Sequence, residues 1–185
     1  MPGRELPELT ATTTLADADL MYATVTASSN ASRKITVSDL RAVLRQRAIA
    51  RYYMHGNATA TTIAQSGTYY PILGTTTSGA AVVGFTQATS NTATLTGPAG
   101  TFHVVAIVAV SGGNNQLVSV RIAVDGTPLT SAEGESVTTS SGKATIVVQD
   151  VVALLTGQTL SVVLANTTST TSITAVDLSV VAHRV

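Results

Sequence analysis

The sequence predicts a mainly β protein: an N-terminal arm with a small β-hairpin and one α-helix, followed by a β-sandwich. Three observations carry this. Thr and Val, β-branched residues that fit the pleated surface of a strand, are among the dominant residues. From Thr68 onward, short period-two alternations recur between turn-forming clusters. Ahead of them, one stretch without Gly or Pro carries apolar residues at helical spacing.

Taken in order, Pro2, Gly3 and Pro7 argue for an extended arm. Strands are expected over 20–26 and 34–37, joined by the polar run Ala27-Ser28-Ser29-Asn30-Ala31-Ser32. Ser38 sits where a helix N-cap belongs, with Asp39 in the first turn. Leu40, Val43, Leu44, Ala48 and Tyr52 then predict a helix over 39–54. Residues 55–67 are small and polar and read as a linker. Strands are expected over 69–73, 81–87, 92–96, 101–110, 117–124, 136–139, 144–155 (bent or broken), 159–165 and 172–183. The turns between them include Gly97-Pro98-Ala99-Gly100, Ser111-Gly112-Gly113-Asn114-Asn115, Asp125-Gly126, Ser141-Gly142 and Gly157-Gln158. Alternation is clean in Val118-Ser119-Val120-Arg121-Ile122 and blurred in 104–110, where both faces are apolar. Such a strand expects cover on both sides, from a second sheet and from a neighbouring subunit. The organisation expected is therefore 1–54 arm, hairpin and helix, 55–67 linker, and 68–185 β domain.

Composition narrows the function. With 185 residues the chain is one domain, or one domain plus an anchor. Charged residues make up 11%, against roughly 25% in an average soluble domain. Ten basic residues balance ten acidic ones, so no cationic excess favours nucleic acid. No apolar run is long enough for a membrane span, and the first 30 residues show no signal-peptide pattern. The lack of Cys excludes disulfides, thiol nucleophiles and cysteine metal sites. Trp is absent and Phe occurs twice, which leaves little aromatic volume for a core. Scarce charge and scarce aromatics fit subunits that bury each other's sides, or an ordinary domain coated with Thr and Ser.

Two segments resemble known families. Glu5-Leu6-Pro7-Glu8-Leu9-Thr10, Leu15-Ala16-Asp17-Ala18-Asp19-Leu20 and Lys34-Ile35-Thr36-Val37-Ser38-Asp39-Leu40-Arg41 resemble an N-terminal module of tailed-bacteriophage virion proteins. Gly100-Thr101-Phe102-His103-Val104, the Leu154-Leu155-Thr156-Gly157-Gln158-Thr159-Leu160 hairpin and a long final strand resemble the jelly rolls of tumour necrosis factor and of complement globular heads. The first resemblance implies virion attachment, and the second a non-enzymatic, homotrimeric jelly roll whose Gly-x-aromatic strand packs near a threefold axis. Together they imply a capsid decoration or cement protein, with a receptor-binding short tail fibre as the alternative. The partners implied are two further copies and the major capsid protein or another virion protein, with a host surface glycan or protein for the fibre alternative. The docking residues expected are Leu6, Leu9, Leu20, Ile35, Leu40, Arg41, Arg45, Arg47 and Arg51. The trimer contacts expected are Phe102, Val104, Ala106, Leu160 and Val162.

Chemistry is harder to place. No Gly-x-Ser-x-Gly elbow occurs, and only five acids, all scattered, follow residue 54. Glu133-Gly134-Glu135 reads as a cation ligand pair or as a solvated loop. His55, His103 and His183 are at no metal-ligand spacing, so neither metal nor cofactor is expected. Arg41/Arg45 and Arg47/Arg51 lie four apart, each pair on one face of the expected helix. They read as a solvated face or as forked donors for an acidic partner.

Overall fold

The computed structural model describes residues 20–24, 32–36, 48–79, 83–88, 94–139 and 141–185. The chain divides into two units, Met1–Gln46 and Arg47–Val185. In the first, β1 (Leu20–Thr24) and β2 (Ser32–Thr36) form an antiparallel hairpin with Leu20 opposite Thr36 and Thr24 opposite Ser32. The expected arm, the hairpin connection and residues 39–47 of the expected helix lie outside the described residues.

The helix expected to reach Met54 gives way to a strand, β3 (Ile49–Met54). Ala48, Ala50, Tyr52 and Met54 are buried, whereas Arg51 and Tyr53 are exposed. The stripe Ala48–Tyr52 misleads because a spacing of four keeps one face in either period. Tertiary pairing decides: β3 is hydrogen-bonded to the final strand from Met54↔Leu178 to Ile49↔His183. Residues 55–67, expected as a linker, instead lie along the sandwich. Thr61 and Ile173 exchange both backbone hydrogen bonds, Asn57 N–H donates to Val176 O, and Ile63 is buried.

The second unit continues with β4 (Tyr70–Pro71), β5 (Thr77–Ser78), β6 (Thr86–Ala88), β7 (Thr94–Thr96), β8 (Gly100–Ser111), β9 (Leu117–Val124), β10 (Thr127–Val137), β11 (Lys143–Leu154), β12 (Thr159–Asn166) and β13 (Thr174–Arg184). All pair antiparallel in two sheets. One runs β10-β9-β12-β7-β6, with β4 also on β12; the other runs β11-β8-β13-β3-β5. This is a jelly-roll arrangement.

The strand expected over 81–87 is reduced to β6, β5 was not expected, and two long strands also depart from expectation. β11 runs unbroken, paired with β8 from Lys143↔Ser111 to Leu154↔Gly100. β10 begins at Thr127 rather than near Ser136, because Pro128 and Gly134 masked its signal. A register shift between Pro128 and Glu133 bends β10 toward β11. Gly134 lets the backbones approach, since a Cβ there would come within 2.5 Å of Val147 O. The Asp125-Gly126 turn has positive φ at both residues, 49° and 76°, as a type I′ hairpin turn requires.

The core lies between the sheets. Phe102, Val104, Ala106, Val108 and Val110 of β8 face Val118, Val120 and Ile122 of β9 and Leu160, Val162 and Leu164 of β12 within one apolar cluster. Phe85 meets Phe102 edge to face at 5.1 Å. With two Phe in the chain, this pair supplies much of the aromatic volume, and β-branched Val fills the rest.

A polar cluster lies on the β9/β10 side. Arg121 Nη2 donates to Glu133 Oε2 at 2.6 Å, Ser119 Oγ and Tyr69 Oη donate to Glu133 Oε1, and the Arg121 guanidinium lies 4.6 Å from the Tyr69 ring centre. Glu133 is thus on a strand and satisfied by side chains, which leaves the cation-ligand reading without its carboxylate. The Arg121 hydrogen bond, followed by those from Ser119 and Tyr69, holds the Glu133 carboxyl at about 2, below its ordinary 4.5. A depressed carboxyl stabilises the fold above its unfolded-state pKa and loses that contribution as pH falls through the folded one. Acid titration followed by circular dichroism is therefore expected to show native stability falling between pH 4.5 and about 2. Glu133→Gln should be less stable at neutral pH and flatter across that window; an identical acid profile would remove Glu133 from the account.

Candidate self-association face

Period two gives the sheet β11-β8-β13-β3-β5 an outward face as well as a core face. Strand register sets that face out in rows. Val147, Ile107, Ser179 and Tyr53 lie side by side across β11, β8, β13 and β3. The next row holds Gln149, Val105, Val181 and Arg51, and the one after it Val151, His103, His183 and Ile49. Ile107, Val147 and Val151 are 46%, 56% and 57% exposed, and Tyr53 is 39% exposed. Four of the large apolar side chains left open to solvent therefore share one sheet face. A groove of about 410 Å³ runs across it, lined by Arg51, Tyr53, His55, Ile107, Ala109 and Ser179 among others.

The opposite sheet is different. Its outward residues Ser119, Ala123, Ser161, Val163 and Ala165 are buried within the same chain. Tyr69 lies over Ser119 and Arg121, while β4 and Gly67 N–H, which donates to Asn166 O, continue the sheet along β12. The β9 and β12 part of one sheet is covered by its own chain, and the other sheet presents Val and Ile to solvent.

The residues expected as trimer contacts face inward. Phe102, Val104 and Ala106 are 0% exposed, and Leu160 and Val162 are 1% and 4% exposed. All five face the core of the single chain, so they have no surface to give a second copy. A shift of one residue along a strand reverses its face. The residues that β8 turns outward are Thr101, His103, Val105, Ile107 and Ala109. Tyr53, Val147, Val151 and Val181 were not anticipated. Their signal was the one already visible in 104–110: Val147-Val148 and Val151-Val152 also leave β11 apolar on both faces.

Of the expected docking residues, Leu6, Leu9, Leu40, Arg41, Arg45 and Arg47 lie outside the described residues. Leu20 and Ile35 stand on the β1/β2 hairpin. Arg51 stands on β3, not on a helix, so it is not half of an i,i+4 helical pair. Its guanidinium carbon lies 5.8 Å from the Tyr53 ring centre, at the edge of the groove. The carboxylates of the second unit include several engaged in holding the fold. Asp125 accepts from Thr159 and Gln158, Asp150 from Ser131, and Asp177 from Gly56 N–H while lying 2.5 Å from His55 Nδ1.

Among known proteins, no family model and no curated sequence matches the chain. Solved structures do. Eiger TNF from S. frugiperda aligns over 75% of this chain and 92% of its own, at 10% identity and a TM-score of 0.53. Murine APRIL aligns over 75% of this chain and 99% of its own, at 9% identity and a TM-score of 0.51. The chain has the fold of a tumour-necrosis-factor jelly roll. The PRD1 vertex protein P5 also aligns, over 93% of this chain and 85% of its own, at 10% identity and a TM-score of 0.49.

Proposed function

We propose that the protein is a non-enzymatic bacteriophage structural protein: a homotrimeric capsid decoration or cement protein, located in the virion. Its N-terminal unit docks on the major capsid protein or another virion protein, and its jelly roll is displayed as a knob. The observation that carries the trimer is the apolar outward face of the β11-β8-β13-β3-β5 sheet. Contiguous exposed apolar surface marks interaction sites, and obligate interfaces resemble a core cut in half. The attachment role is supported by the Leu-Pro-x-Leu start and the Lys34-Ile35-Thr36-Val37 strand, which resemble virion-attachment modules. A non-enzymatic role is supported by the structural use of Asp125, Glu133, Asp150 and Asp177 in hydrogen bonds.

Truncation tests the division of labour. A chain beginning at Ala48 keeps β3 and is expected to fold and assemble without binding phage heads that lack the protein. A chain beginning at His55 loses β3, the strand between β13 and β5, and is expected to lose its fold as well. Co-sedimentation with heads reads the outcome. Normal occupancy by the Ala48 chain would refute docking through the N-terminal unit. Binding of the full chain to host cells but not to heads would replace decoration with a tail-fibre role.

A further inference from the structure

Strand register brings His103 and His183 together: β13 runs antiparallel to β8 with the two residues directly opposite. Their rings meet edge to face with centres 5.0 Å apart. In the single chain His103 is half-buried and His183 exposed, on the sheet face that also presents Ile107, Val147 and Val151. Among the described residues neither imidazole has a hydrogen-bond partner.

Little negative charge surrounds the pair. β11 supplies Val151 beside His103, with Gln149 and Ala153 on the diagonals, and β3 supplies Ile49 beside His183, with Arg51 on the diagonal. Along their own strands the outward neighbours are Thr101 and Val105 on β8, and Val181 and Val185 on β13. The Arg184 guanidinium lies against Gly100. Among the described residues the nearby carboxylate is the terminal one at Val185, whose N–H donates to Thr101 O. Asp177 shares the face but stands about 20 Å from His183 by strand rise, and it is engaged with His55 and Gly56.

We infer that the His103–His183 pair makes self-association through this face acid-sensitive: copies join while both imidazoles are neutral and separate when they are protonated. The inference rests on the proposed use of the face as a subunit contact. Imidazole is the side chain whose ordinary titration falls between about pH 5 and 8. Its neutral form is tolerated between apolar faces, whereas an unpaired cation there loses its hydration. Protonation of both rings sets two like charges side by side, near further positive charge on Arg51 and Arg184 and against a single carboxylate. In the free chain water solvates either form. Dissociation therefore takes up protons, and each ring weakens association by up to about tenfold per chain for each pH unit below the imidazole range.

Light-scattering mass of the full chain from about pH 8 to about pH 5 tests this. The mass should fall from three chains toward one, reversibly and with a native far-ultraviolet spectrum, since the acid loss of stability tied to Glu133 begins below 4.5. The paired substitution His103→Gln with His183→Gln should hold one mass across the range, and His55→Gln should keep the response. Where the paired variant fails to assemble, the native chain still decides: dilution calorimetry at about pH 6, in two buffers of different ionisation heat, should register proton uptake. A native mass of three chains at both ends of the range, an acid response kept by the paired variant, or dissociation without proton uptake would each overturn the inference. A single chain already at about pH 8 would instead overturn the self-association reading, and the inference with it.

Discussion

Phe102→Ala is expected to destabilise the folded chain by about 3–5 kcal/mol, the usual cost of emptying a fully buried aromatic site. Phe102 is 0% exposed and packs edge to face on Phe85, the only other Phe in the chain. Among Val, Ala and Leu neighbours, little can move to fill the space. The size of the effect should not depend on protein concentration, because the lost contacts lie within one chain. Denaturant unfolding at two concentrations checks this. A variant with unchanged unfolding that merely dissociates on dilution would place Phe102 at a subunit contact, as its Gly-x-aromatic setting first suggested.

The paired substitution Ile107→Glu with Val147→Glu should have the opposite signature. The two residues are neighbours across β8 and β11 and are about half exposed. In a free chain, surface changes of this kind cost within about 0.5 kcal/mol each, plus a small repulsion between adjacent like charges. Buried between copies, each carboxylate would carry a desolvation penalty of several kcal/mol, and each 1.4 kcal/mol is about tenfold in association. The expected product is a folded monomer with a native far-ultraviolet spectrum. An oligomer of unchanged mass would mean that copies meet elsewhere.

Local patterns predicted the long strands well and the irregular parts poorly. β9 follows from alternation, and β8 and β12 from β-branched apolar runs bounded by turns, signals that act within a few residues. β3 was read as a helix because Ala48 and Tyr52 satisfy both periods, and only pairing with β13, more than a hundred residues away, selects the strand. β10 was clipped because Pro128 and Gly134 are strand-breaking residues that a bulge and a close approach to β11 accommodate. The two apolar faces of β8 were legible in the run 104–110, but not which parity faced out. That choice depends on which residues the opposing sheet receives, and the expected contact set falls on the core-facing parity. The His103–His183 pair had no local signature, since register alone creates it.

Sedimentation equilibrium of the intact chain over a wide concentration range tests the account most directly. A mass of three chains that persists on dilution, and that falls to one chain when Ile107 and Val147 carry charge, is the predicted result. A native chain that sediments as a single folded copy would contradict the claim that the open apolar sheet face joins subunits.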